Sequence, residues 1–140
     1  MTIIDAHSHL WMKQDTIVDG KRILSQKNGR SIFMDEEVQM LPPFIIDGKN
    51  TAEIFLSNMN YAQVNAAVVV QEIIDGNQND YLGKVQKRYP NRFFCMGMPE
   101  FTPQGTAKHA MLDVCSIHDN GLKGIALPAH RLSMPLQELV

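Results

Sequence analysis

Ile3-Ile4-Asp5-Ala6-His7-Ser8-His9-Leu10-Trp11 is a short apolar run that closes on His-x-His. Side chains two apart on a strand point to one face, so His7 and His9 project together from the end of the run. Two neutral imidazoles held side by side are a ready pair of ligands for zinc or a similar divalent ion. A short motif of this kind is also met as surface or core histidines, and its weight comes from context. Here the run lies at the N-terminus and a βα pattern follows it.

Working outward, Thr2 to Ala6 reads as the first strand. Residues 11–50 form an insertion placed to act as a lid. Asp19-Gly20 and Asn28-Gly29 sit between apolar runs and signal hairpins, giving a ribbon of two or three strands. From Thr51 to Val64 the spacing of Phe55, Met59 and Ala62 predicts a helix, with Asn50 as cap and Glu53 as capping-box partner. Ala66 to Gln71 is continuously apolar up to its last residue, as a strand buried on both faces should be. A second helix opens at Asn77, carries Tyr81, Leu82, Val85 and Tyr89 on one face, and stops at Pro90.

A third strand covers Arg92 to Met98, and a third helix runs from Pro103 to Asp119 with Gly121 at its C-cap. The fourth strand is Leu122 to Leu127. Met134 to Val140 reads as the first turn of a fourth helix. Alternation of this kind means a parallel sheet with crossover helices, either an open doubly wound sheet or a βα barrel. No Gly-x-Gly-x-x-Gly follows the first strand, which disfavours a dinucleotide fold. In a barrel the reactive groups stand at the C-terminal strand ends. Those ends hold His7, His9, Gln71, Glu72, Glu100 and His130.

Composition narrows the class. The chain has 140 residues, 44% hydrophobic and 20% charged, enough for one domain with a core. A net charge of −2 with scattered Lys and Arg gives no nucleic-acid footprint. No apolar run is long enough for a membrane span, and no secretion signal opens the chain. The two cysteines, Cys95 and Cys115, form no CxxC pair and read as buried thiols of a reducing, cytoplasmic compartment.

The segments Ile3–Trp11, Ala66–Phe101 and Gly121–His130 together resemble the N-terminal half of the amidohydrolase superfamily, in its "amidohydrolase 2" branch. That branch holds sugar-acid lactonases, pyrone-dicarboxylate lactonases and aminocarboxymuconate-semialdehyde-type decarboxylases. The resemblance covers nearly the whole chain outside the hairpin insertion. It implies an α/β fold made of the first four βα units of a TIM-type (β/α)8 barrel, interrupted by a hairpin insertion after strand one. It also implies a divalent metal, usually zinc, held by His7 and His9. In some lactonases of the branch no metal is used, and the two histidines would then line the pocket. The family's remaining ligands and its base come from strands five, six and eight, which this chain does not contain. A full barrel takes about 250 residues. The carboxylated lysine of some members stands at the end of strand four, whereas Lys123 lies at its beginning, so that role is not carried over.

Three further residues are candidates for substrate contact. Trp11 stacks on a substrate ring or packs beneath the hairpins. Gln71 hydrogen-bonds a substrate carboxylate or lactone oxygen, or else satisfies local backbone. His130 reaches the same rim or is an exposed loop residue. Glu72 and Glu100 are candidate rim acids. His109 and His118 fall on the third helix, away from the strand ends. The expected function is a metal-dependent hydrolase of a small carboxylated or sugar-derived lactone or amide, present as its N-terminal half and inactive alone. The alternative is a non-catalytic half-barrel that self-associates or complements a partner chain. The expected partners are a small-molecule substrate and either a second copy or the C-terminal half.

Overall fold

The computed structural model describes residues 1–100 and 107–127. In chain order the elements are β1 (Ile4–Ser8), β2 (Asp15–Val18), β3 (Lys21–Ser25), β4 (Arg30–Phe33), β5 (Glu36–Gln39), α1 (Ala52–Tyr61), β6 (Ala66–Val69), α2 (Asn79–Arg88), β7 (Phe93–Gly97), α3 (Ala107–Asp119) and β8 (Gly124–Ile125). Two four-stranded sheets result, one ordered β1-β6-β7-β8 and the other β2-β3-β4-β5. The first is parallel throughout. Its strands stand side by side in sequence order, as successive crossover helices on one side produce.

The apolar runs explain this sheet. Val69, Phe93 and Cys95 are fully buried and meet Leu82 and Val85 of α2 and Met59 of α1. Phe93 stacks at a tilt on Phe55, 6.2 Å between ring centres, and edge-on against Tyr89 at 5.9 Å. Burial of such a ring is worth about 1.5–3 kcal/mol. Gly97 lets α3 approach closely, because a Cβ there would stand 2.4 Å from the Ile117 side chain. β6, β7 and β8 are shorter than the runs that announce them, whereas β1 is shifted two residues along, Ile4–Ser8 in place of the expected Thr2–Ala6. The expected start of the third helix at Pro103, the fourth helix and His130 lie outside the described residues.

Three expectations for α1 are corrected. Thr51, not Asn50, is the cap, its hydroxyl accepting from the Ile54 N–H at 3.4 Å. Asn50 is committed elsewhere. Its backbone exchanges hydrogen bonds with Trp11, at 3.0 and 3.1 Å, and its side-chain amide donates to the His9 carbonyl at 2.7 Å. Glu53 pairs with Arg88 at 2.9 Å instead of closing a capping box. The helix ends at Tyr61, so Ala62 is its exposed C-cap rather than part of the apolar face.

The insertion is a complete antiparallel sheet of four strands, one more than the ribbon expected. Asp19-Gly20 turns β2 into β3 with φ of 52° and 75°, as the hairpin signal requires. Asn28-Gly29 lies within the β3–β4 connection. Gly29 is needed there because a Cβ would come 2.3 Å from the Leu41 carbonyl oxygen. The unannounced turn is Met34-Asp35, with φ of 54° and 70°. The Asp35 carboxylate accepts from the Arg22 N–H at 2.9 Å, which supports that conformation from across the sheet.

Candidate active site

The site is built on β1. Ile4 pairs with Ala66 and Asp5 with Ala67, but Ser8 pairs with Val69. One extra residue therefore enters β1 between Asp5 and Ser8. Bulges of this kind re-aim side chains at the rims of barrels. The His7 N–H donates to the Asp5 carboxylate at 3.1 Å. Ser8 turns inward, its hydroxyl donating to the Val68 carbonyl at 2.9 Å. His7 and His9 are left facing one another, Nε2 to Nε2 at 3.1 Å, with ring centres 4.9 Å apart.

That separation suits a shared ion. A tetrahedron of nitrogens at about 2.0–2.1 Å from zinc has an edge of roughly 3.3 Å. The donor type fits as well, since imidazole nitrogen is a zinc ligand of choice. Two ligands are the count: among the described residues no group of three or more His, Cys, Asp or Glu is placed to hold a metal. The pair therefore fits as part of a site.

His9 has a second neighbour. Its Nδ1 is buried and has no hydrogen-bond partner within normal range. Asp75 Oδ2 approaches it at 3.6 Å. Asp75, only 4% exposed, belongs to a 3-10 turn, Ile73–Asp75, just past the end of β6. Burial raises its carboxyl above the usual carboxylate range. The Gln14 hydrogen bond and the nearby His9 oppose that shift, and the charge of Glu72 adds to it.

Gln14 comes from the insertion and donates through Nε2 to Asp75 Oδ1. The Ser25 hydroxyl donates to Gln14 Oε1 at 3.2 Å, and the backbones of Gln14 and Ser25 are bonded as well. Thr16 on β2 adds a hydrogen bond to the Ile74 carbonyl at 2.7 Å. The insertion thus grips the turn that carries Asp75. A cleft of about 160 Å³ opens here, walled by His9, Trp11, Gln14, Met40, Leu41, Glu72, Ile74 and Asp75.

The remaining candidates separate. Trp11 is buried, and its indole N–H donates to the Gly48 carbonyl at 2.9 Å while the ring forms part of the cleft wall. Gln71 is 3% exposed. Its amide donates to Asn79 Oδ1 and the Met96 carbonyl and accepts from the Gln78 N–H, so it ties the ends of β6 and β7 to the start of α2. Glu100 sits in a separate polar groove with Asp80 and Asp113. His118 is exposed on α3. Gln14 and Asp75 were not legible as site residues. The one local signal is the Asp75-Gly76 turn pair directly after the second strand of the barrel.

A family model described as amidohydrolase matches residues 4–138. The fold is similar to a probable 2-pyrone-4,6-dicarboxylic acid hydrolase from Acinetobacter baumannii, crystallised with citric acid bound. The TM-score is 0.58 at 20% identity, with 96% of this chain and 40% of that one covered. It is also similar to an uncharacterized TIM-barrel protein from Bordetella bronchiseptica, with a TM-score of 0.50 at 24% identity over 62% of this chain and 31% of that one. No curated protein matches. The chain thus spans well under half the length of the solved barrels it resembles, and its parallel sheet corresponds to part of a TIM-type barrel. On the family match over nearly its whole length, this chain belongs to the amidohydrolase family.

Proposed function

We propose that the chain is the strand-one half of a metal-dependent hydrolase acting on a small carboxylated or sugar-derived lactone or amide. The observation that carries the reading is the convergence of His7 and His9 at the C-terminal end of β1, Nε2 to Nε2 at 3.1 Å. His7 and His9 would hold the ion, with zinc favoured by their donor type. When bound, a divalent ion supplies Lewis acidity toward a carbonyl or a more acidic bound water. The chain's own residues do the rest of what this half contributes. Asp5 fixes the backbone of His7, and Asn50 fixes that of His9. Trp11, Met40 and Leu41 give the cleft an apolar wall that excludes water from one side, and the insertion thereby serves as a lid. Gln71 ties the ends of β6 and β7 to the start of α2 beside it. His130, which lies outside the described residues, is the further candidate for substrate contact on its sequence position. On the family resemblance, the other ligands and the base would come from the part of the barrel beyond the 40% of the solved neighbour that this chain covers.

The test is equilibrium dialysis of the purified chain against Zn2+, with metal read by atomic emission. Saturable uptake is expected for the wild type and is lost in both His7→Ala and His9→Ala. Equal uptake by all three proteins overturns the assignment. A carboxylated lactone should be hydrolysed only by protein that contains the whole barrel, and not by its His7→Ala variant.

A further inference from the structure

We infer that Gln14, Asp75 and His9 form a positioning relay through which the antiparallel insertion fixes the tautomer of His9. The inference deepens the proposed metal reading of the same histidine pair, but its own evidence is the geometry of the polar contacts around Asp75. Among the described residues His9 Nδ1 is buried without a hydrogen bond, and Asp75 Oδ2 lies 3.6 Å from it. A carboxylate accepts and does not donate, so the arrangement favours the proton on Nδ1. Nε2 of His9 then carries a lone pair, and it is the atom that faces His7 Nε2 at 3.1 Å. In the metal-free protein His7 is therefore the donor of that contact, with its proton on Nε2. A ligating histidine whose second nitrogen faces a carboxylate is a recurrent way of setting ring orientation and basicity.

What is particular to this chain is the origin of the orienting group. Asp75 stands on a short 3-10 turn with no regular strand or helix to fix it. Its other oxygen accepts from Gln14, a residue of the insertion that is itself 2% exposed. Gln14 cannot turn its amide over without cost, because its Oε1 would then face the acceptor-only Asp75 carboxylate. The polarity of the chain is set by the Asp75 carboxylate, which only accepts: Oδ1 takes the Gln14 Nε2–H, Oδ2 faces His9 Nδ1, and Gln14 Oε1 is left to accept from the Ser25 hydroxyl. The insertion acts on the histidine pair through two hydrogen bonds and the 3.6 Å approach of Asp75 to His9, as well as by walling the cleft.

Asp75→Asn keeps the size of the side chain and reverses its polarity toward His9. With Gln14 still presenting its Nε2–H as in the wild type, the new amide places Oδ1 toward Gln14 and Nδ2–H toward His9. His9 Nδ1 must then accept, and its proton moves to Nε2. The tautomers are read from long-range 1H–15N correlation spectra of the metal-free chain in alkaline buffer. The wild type is expected to show Nδ1–H for His9 and Nε2–H for His7, and Asp75→Asn to show Nε2–H for His9. Gln14→Ala is expected to leave His9 as a mixture. A His9 tautomer that is Nε2–H in the wild type, or unchanged in Asp75→Asn, overturns the relay. Asp75→Asn should also weaken Zn2+ uptake by about 10- to 100-fold. If uptake ignores His7→Ala and His9→Ala while the tautomer still reverses, the metal reading fails and the relay stands.

Discussion

At the scale of single residues, the two cysteines give the sharpest contrast. Cys115 is exposed on α3, while Cys95 is fully buried in β7 and its thiol is pushed up to about 12 by burial. Thiol reagents attack the thiolate. A maleimide applied to the native chain should therefore label Cys115 alone, and tryptic mass mapping should find Cys95 labelled only after denaturation. The sign of the pH effect follows. An unfolded Cys95 releases its proton near 9.0, whereas the folded one keeps it until about 12. Between those values the folded state holds the extra proton, so stability falls as pH rises, by at most about 1.4 kcal/mol per pH unit. That slope should be reduced in Cys95→Ala, as urea midpoints at successive alkaline pH values would show. His7 and His9 were legible because strand periodicity is local. Asp75 and Gln14 were not, because a 3-10 turn and an insertion 61 residues apart in sequence meet only in the folded chain.

Among the elements, the parallel strands announced themselves and the last strand of the insertion did not. β6 and β7 are apolar runs whose burial on the helix side needs no long-range information to foresee. β5 was hidden because its hairpin turn, Met34-Asp35, lacks the glycine that marks Asp19-Gly20. The structure accepts a methionine at φ 54° there, held by the Asp35–Arg22 bond across the sheet. Asparagine tolerates this conformation better, and β-carbon crowding in the left-handed region costs about 1–2 kcal/mol. Met34→Asn should therefore stabilise the chain by roughly 1 kcal/mol, seen as a higher urea midpoint with unchanged slope. The misplaced cap of α1 has a related cause. Asn50 and Thr51 are both good caps by type, and the choice between them was made by Trp11, which draws the Asn50 backbone into a bridge.

Considered as a whole, the molecule has one well-packed side and one open one. The helices cover one face of the parallel sheet, while His7, His9, Val68, Phe94 and Met96 lie toward the other, with Phe94 37% exposed. Among the described residues β1 pairs only with β6, and Ile4 beside its free edge is 54% exposed. An unpaired edge with apolar side chains invites another strand. Sedimentation velocity should show the 140-residue chain associating as concentration rises, and Ile4→Lys should shift it toward monomer. A single monomeric species at every concentration would count against the edge as the contact. The insertion adds a different property to this frame. Its two ends meet at the Trp11–Asn50 bridge, so 38 intervening residues (12 to 49) depart from and return to almost one point. A segment closed in this way behaves as a cassette. Its length and content can drift, by gain or loss of whole hairpins, without changing the distance that β1 and α1 must span, and selection can reshape the wall over the histidines while the barrel framework stays as it is.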